Sequence, residues 1–585
     1  MIDLLESSRK ELIESIIVEK FSIRDYLQSI VNIKFFNLRC LILEDCNLHN
    51  GLVQFLTESD NLISVETLSL GSNPKLTSEI GKYIADSPYL KRINALNVQN
   101  NNKILDDFLT HLANGHVLRS LNKLNLSGCL ITEDGCNTLL RSGCLENLVR
   151  LYLVNCYIKD DGLKAIASCK SLFKLEVLNL GGRTNKITDA SFKLFCENNS
   201  LLSLRVLNVS FSKVTSRGIQ YLCNSVFCPK LTSLDISGTP VDDEGLLYFT
   251  QHSRIEDLKE IYLNSTQISN NSFNEFCRSG LVKTLDILDV SSTYITDDGL
   301  FGFSRSHFLS NLKTFNFEGC RITDVGMKRI FLSENMKNIT SLTLAGPGVT
   351  SKTLENLTES WQFHHLKTIN ATNLNIKDNT LKVIAVSPKL KNIEELNLSN
   401  NQITSKGLGY LIQGGVITNL KKLALYLNAI DDSGVLKLAQ SDAMQKLEYL
   451  DIGMNKITGE SIVSIFRSRN MKSLKHLLVS WCKAGDKELA VICQAKRAPI
   501  IETLDLTALN ITSEGLKVLC ECKSLNRLKT LVLDSCKFGE AGLRHLLDSS
   551  LIKQLHTLQL GSNDIPVQVL EQELENFSTV CNVLY

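Results

Sequence analysis

Three short clusters carry side chains that ligate metals or act as nucleophiles: Cys223 with Cys228, Cys520-Glu521-Cys522, and His364-His365. A zinc site needs four ligands, usually two pairs at short spacing. Neither cysteine pair has a second pair at such a distance, and the ten histidines are scattered. Phosphate-cradling, dinucleotide-binding, zinc-protease and nucleophile-elbow motifs are absent from the sequence. The expectation is a protein without catalysis, metal or cofactor. Recognition is the chemistry that remains. Trp481, one of only two tryptophans, stands in LKHLLVSWCK (474–483). Tyr and Trp dominate the energetic anchors of protein interfaces.

What must position such a residue is a repeat. The pattern L-x-x-L-x-L recurs from residue 38 to residue 555 in twenty registers, and from 204 onward every step is 27 residues. In LDILDVSSTYITDDGLFGFSRSHFLSN (285–311), Leu288 and Val290 alternate with polar residues, the period of a short strand. Ile295 anchors the return. Thr296 caps a helix with Asp297 and Asp298 in its first turn, and Leu300 and Phe303 form its apolar face. One repeat cannot bury its own apolar face, so the repeats must stack. The ninth position is Asn at 73, 101, 401, 428, 455 and 563, Cys at 46, 129, 156, 320, 482 and 536, and Thr at 239, 266 and 293. Side chains there would bond the adjacent turn as a ladder, with cysteine acting as a small buried hydrophobe.

Positions three, five, seven and eight of each repeat should face one side of the sheet. They carry Glu44, Asp45, Asp235, Glu260, Asp289, Glu318, Glu395, Asp451, Asp505 and Asp534, against Lys123, Arg150 and Lys422. That is a net −7 on this face and +8 elsewhere, for a total of +1. Asp and Asn also suit such a turn locally. The charge would steer a partner with a basic patch and disfavours nucleic acid. In three successive repeats, starting at 420, 447 and 474, the same positions are apolar or aromatic: Tyr426, Leu427, Tyr449, Met454, His476, Leu478 and Trp481. Tyr152, Phe211 and Tyr262 form a second, sparser set. Extra residues at Asn73–Leu76, Asn101–Ile104 and Gly181–Asn185 all follow strands, as drift or as a lip on one edge.

LNKLNLSGC (121–129), ITDDGL (295–300) and ITSEGL (511–516) resemble the leucine-rich repeat superfamily, in its ribonuclease-inhibitor-like and cysteine-containing subclasses. The resemblance covers residues 38–563. It implies an α/β solenoid, a horseshoe or open ring of about 20 repeats of 27 residues, with a parallel sheet on the concave side and helices on the convex side. It does not imply one activity. Residues 1–37 then read as a helical N-terminal cap and 564–585 as a C-terminal cap. ELIESIIVEKFSIRDYLQSIVNIKFF (11–36) also resembles a degenerate F-box, without that family's Leu-Pro opening; this implies docking to a Skp-type adaptor of a cullin ubiquitin ligase.

Hydrophobic residues make up 43% of the chain, with eight prolines and no low-complexity linker, as expected for a folded protein. No run of about 20 apolar residues would span a membrane, and the N-terminus lacks a signal-peptide pattern. The eighteen cysteines fall at repeat positions rather than staple spacings, so they are expected reduced, in cytoplasm or nucleus. The sequons at Asn125, Asn208 and Asn397 lie in expected strands, which agrees. The functional expectation is a scaffold binding a protein partner on its acidic face. A ligase substrate receptor, an inhibitor of a basic enzyme and a microbial effector in host cytosol are alternatives.

Overall fold

The computed structural model describes residues 14–19 and 37–566, apart from 199–200, 361, 364, 416 and 496–497, together with 569 and 582–584. The chain forms two compact halves, Met1–Tyr294 and Ile295–Tyr585. In the first, strands from Ser15–Glu19 to Ile287–Asp289 pair in chain order, each parallel to the next. In the second, the same order runs from Thr314–Asn316 to Asn582–Leu584. Most strands are three residues long, with only the central side chain buried, because one face of the sheet packs on helices and the other is open.

Both termini correct the sequence-based boundaries. Ser15–Glu19, expected to be helical, is a strand paired with Cys40–Glu44. Ile16 and Val18 stand in register with Leu41 and Leu43 and are buried, so the first solenoid strand precedes residue 38. Asn582–Leu584, assigned to the C-terminal cap, pairs with Thr557–Gln559. The signal was present: Ile13, Ile16 and Val18, and Val580 with Val583, repeat the apolar spacing at a 25-residue step. The remainder of the proposed N-terminal helices and F-box lies outside the described residues.

The ninth-position ladder forms at the asparagines and at several of the cysteines. Asn73 Oδ1 accepts from the N–H groups of Cys46 and Leu48 at 2.9 and 3.0 Å, while Nδ2 donates to the carbonyls of Leu43, Leu70 and Gly71. Cys129, Cys156 and Cys536 donate Sγ–H to the preceding repeat, whereas Thr239, Thr266 and Thr293 donate within their own turn. Burial pushes the Cys129 and Cys536 thiols up to about 12. At the first two inserted stretches Asn73 and Asn101 are fully buried ladder members, while Pro74, Lys75, Asn102 and Lys103 between the buried residues are exposed. At the third, Asn185 resumes the ladder, Thr184 donates its hydroxyl to the carbonyl of Cys156, and Arg183 bulges outward.

A second ladder joins helix starts. The Thr cap recurs at Thr132, Thr188, Thr215, Thr323, Thr350, Thr404, Thr458 and Thr512. The helix after Thr296 begins later, at Leu300. The acid after the cap does more than meet the helix dipole. Asp432 Oδ1 and Oδ2 accept from the N–H and hydroxyl of Thr458 in the next repeat, at 2.8 Å each. Asp160 clamps Thr188, and Asp324 clamps Thr350, in the same way. At Asp160, Asp324 and Asp432 burial raises the carboxyl pKa, but the hydrogen bonds outweigh it and leave it below the ordinary value. A depressed folded-state pKa gives stability that is present above the unfolded value, near 3.9, and is lost as pH falls through the folded one. Acid unfolding below about pH 4 should therefore start at these clamps. Asp432→Asn should flatten that acid limb locally, read as amide exchange around Thr458 between pH 3 and 6; an unchanged limb would contradict it.

Position two carries an alternating charge row that sequence reading overlooked: Lys367, Glu394, Lys421, Glu448, Lys475, Glu502 and Lys529, 27 residues apart. Lys367 and Lys421 both reach Glu394, at 2.8 and 2.7 Å; hydrogen bonds from the two ammonium groups lower its carboxyl to about 2. Lys475 pairs with Glu448 and Lys529 with Glu502. The cysteine expectation is corrected at one place. Cys493, at the end of the helix Asp486–Cys493, is disulfide-bonded to Cys522, with Cα atoms 4.9 Å apart. Repeat stacking brings these successive helix ends together, which residue spacing alone did not reveal.

Candidate functional site

The turn after each strand explains the small and polar preference at position eight. In all twenty repeats this residue has positive φ. The region costs an L-residue other than Gly, Asn or Asp about 1–2 kcal/mol. Most repeats accordingly place Gly, Ser, Asn or Asp there. Four place large side chains: Phe211 (φ 59°), Leu427 (55°), Met454 (50°) and Trp481 (59°). Hydrogen bonds to the next repeat hold the last three in this conformation, from Leu427 N–H to Gly453, Met454 N–H to Ser480 and Trp481 N–H to Thr507, at 2.8–2.9 Å. The chain thus accepts a local cost three times in succession and leaves the side chains exposed, Trp481 by 57%.

The strands align the remaining residues of that patch. Lys422, Tyr449, His476 and Thr503 are in register, as are Ala424, Asp451, Leu478 and Asp505. The Lys422 ammonium lies 4.9 Å from the Tyr449 ring centre, Tyr449 and His476 are 6.2 Å apart, and His476 Nδ1 is 2.9 Å from Thr503 Oγ1. Tyr426 donates its hydroxyl to Met454 Sδ at 2.7 Å. All seven apolar and aromatic residues singled out from the sequence therefore share one surface. Burial lowers the His476 pKa and lifts the Tyr449 hydroxyl to about 12, so both are neutral near pH 7.

The acidic residues do not form one cluster. Asp451 and Asp505 flank Leu478, within the patch. Asp235 and Asp289 stand either side of Tyr262 in the first half, beside Glu260. Glu395 is in register with Lys422, and Glu318 is exposed at its own turn. Position five also builds the turn that follows it. Asp235, Asp289, Asp451 and Asp505 each accept the N–H two residues on, as Asn125, Asn208 and Asn397 do. Either residue type serves the turn; Asp adds charge. Burial pushes Asp451 up to about 6, opposed by its bond from Gly453 and assisted by Asp505.

Among the described residues, no group of three or more His, Cys, Asp or Glu side chains is arranged to hold a metal, and no helix is long and apolar enough to cross a membrane. Cys223 and Cys228 are buried beside each other, and His365 is exposed; His364 lies outside the described residues.

Residues 145–167, 200–223, 227–249, 308–331, 389–411, 416–439 and 443–466 match the family profile described as Leucine Rich repeat. Their strand, turn and helix coincide with the architecture above. These stretches are leucine-rich repeats, and the fold that holds them is an α/β repeat solenoid. Similar solved structures include an internalin of Listeria monocytogenes, 21% identical with a TM-score of 0.40 over 63% of this chain and 94% of the other. A leucine-rich repeat protein of Leptospira interrogans is 20% identical, with a TM-score of 0.38 over 77% and 92%. TLR13 in complex with ssRNA13 is 17% identical, with a TM-score of 0.46 over 82% and 64%. No curated protein matches the chain.

One further departure sits in the first half. The bulged Arg183 places its guanidinium 5.2 Å from the Phe211 ring, so the inserted residues and the strained aromatic meet. Tyr152 and Tyr262 stand on other strands of that face, and burial first, then Glu260, pushes the Tyr262 hydroxyl up to about 12.

Proposed function

We propose that this leucine-rich repeat chain is a non-catalytic scaffold that binds a protein partner on its open sheet face. Leucine-rich repeat proteins generally act as interaction scaffolds, and the fold is typically non-catalytic. The observation that carries the site is the row Leu427, Met454 and Trp481: three consecutive large side chains, exposed, at a position where the backbone disfavours them. Backbone strain that persists across neighbouring repeats signals function. A contiguous exposed apolar patch has the same meaning. Tyr426, Tyr449, His476 and Leu478 extend the row, and Asp451 and Asp505 give it an acidic border. The partner presents apolar anchors within a basic patch.

Affinity capture from the source cells with wild type and Trp481→Ala tests this. Loss of a specific partner from the variant supports it; an unchanged partner list sinks it. A Skp-type adaptor captured by both, and lost on deleting residues 1–37, would instead make the chain a ligase substrate receptor through residues 11–36. Ser15–Glu19 of that segment joins the sheet, which favours the scaffold alone. A captured basic enzyme, released by salt, would mark an inhibitor. A cytoplasmic or nuclear site of action is part of this proposal, as is the option of a microbial effector in host cytosol.

The acidic border makes the binding pH-dependent. Asp451, raised to about 6, is largely protonated at pH 5 and ionised at pH 7.5. Affinity for a basic partner should rise over that interval, and Asp451→Asn should remove most of the rise. Titration calorimetry at the two pH values, with the captured partner, is the check; a wild-type affinity that falls with pH would refute the assignment of charge.

A further inference from the structure

The same three repeats depart from the pattern on their helix side. Position seventeen is Lys328, Glu355, Lys382 and Gly409 in the preceding repeats and Lys517 and Arg544 in those that follow. In between it is Leu436, Val463 and Ala490. The helix-start clamp is also missing here. Where the two flanking steps have Asp432 with Thr458 and Asp486 with Thr512, this step has Gly459 and Gly485, and Gly485 N–H turns instead to Glu488 of its own helix at 2.9 Å. A cavity of about 750 Å³ opens over the helices Asp432–Gln440, Gly459–Arg467 and Asp486–Cys493.

Its floor takes apolar side chains from all three helices: Leu436, 45% exposed, with Ala439, then Val463 and Val491. Its rim carries Arg467, Arg469 and Lys487, all exposed. None of the three forms an ion pair among the described residues, whereas the lysines of the position-two row are paired. Two acids also line the cavity, Glu460 and Glu488, and the Glu488 carboxylate is engaged by Gly485.

We propose that this groove docks an acidic amphipathic helix of a protein partner, at a site separate from the sheet-face patch. An apolar stripe edged by unpaired cations complements a helix with apolar residues at i, i+3, i+4 and i+7 and carboxylates beside them. Neighbouring helix axes lie about 8–10 Å apart, so three span roughly 18 Å, the length of about twelve helical residues.

Selection of a displayed helical-peptide library against the full chain tests this, with Val463→Asp and Arg467→Glu/Arg469→Glu chains as counter-selection. Thermal melts confirm that each variant folds, and Lys487→Glu serves as a milder third variant. The expected clones are net acidic, carry apolar residues at helical spacing, bind Trp481→Ala as well as wild type, and lose at least tenfold in affinity to Arg467→Glu/Arg469→Glu by fluorescence anisotropy. The proposal is overturned if no clone separates wild type from the groove variants, or if the separating clones are net basic. Clones that fail on Trp481→Ala alone overturn it too, while leaving the sheet-face site standing.

Discussion

Trp481→Ala is expected to lower partner affinity about thirtyfold or more, equivalent to about 2 kcal/mol, while leaving the fold as stable as before or more so. The combination of these two signs is what distinguishes an anchor. An ordinary exposed residue changes stability by about 0.5 kcal/mol or less when replaced. Trp481 differs because its φ of 59° is unfavourable for a large side chain. Asn tolerates that region, and Asn or Ser already fills it in repeats on either side, at Asn400, Ser535 and Ser562. Trp481→Asn should therefore raise stability by up to about 1 kcal/mol and abolish the anchor at the same time. Gain of stability with loss of binding is the trade-off expected of a residue kept for function. Chemical denaturation of both variants, beside binding to the captured partner, provides the readout. A Trp481→Asn chain that melts lower and binds normally would mean the indole packs for stability.

The second large effect is structural. Asn73→Ala should destabilise the first repeats by about 3 kcal/mol or more, because several polar groups lose their partner in a site with no solvent access. Asn73 is fully buried and satisfies two backbone N–H groups and three carbonyls. Asn73→Cys should cost less than alanine, since the cysteines at 129, 156 and 536 still donate to a carbonyl of the preceding repeat. Stacked repeats need not unfold in one step, so the measurement is amide exchange at Leu43–Leu48 and Leu70–Leu76 rather than a single midpoint. Protection there that survives Asn73→Ala would show that the ladder is dispensable. The same experiment at Asn401, whose ladder bonds reach the carbonyls of Ala371, Leu398 and Ser399, should give a smaller loss because that amide is less deeply buried.

The amino-acid sequence by itself determined the strand, turn and helix of the repeat. A short strand buries alternate residues and a helix every third or fourth, so Leu288, Val290, Leu300 and Phe303 name their own elements. It also placed the ladder at position nine, where only a small or amide side chain fits the bend. The charge row from Lys367 to Lys529 and the apolar run Leu436, Val463, Ala490 were legible in the same 27-residue frame once positions two and seventeen are read down the chain.

Three features were decided in the tertiary structure. Ser15–Glu19 carries the repeat's apolar spacing in Ile16 and Val18, but the edge of Cys40–Glu44, with a register that buries both, is what makes it a strand. Cys493 and Cys522 stand 29 residues apart, at positions 20 and 22 of neighbouring repeats, and the stacked helix ends bring their Cα atoms within 4.9 Å. The cost at Leu427, Met454 and Trp481 appears only in φ, because a sequence gives the identity of a residue and not the backbone region it must occupy. Local propensity would have kept large side chains out of that position. Inter-repeat hydrogen bonds to Gly453, Ser480 and Thr507 hold them there, and that collective constraint is a property of the stacked repeats.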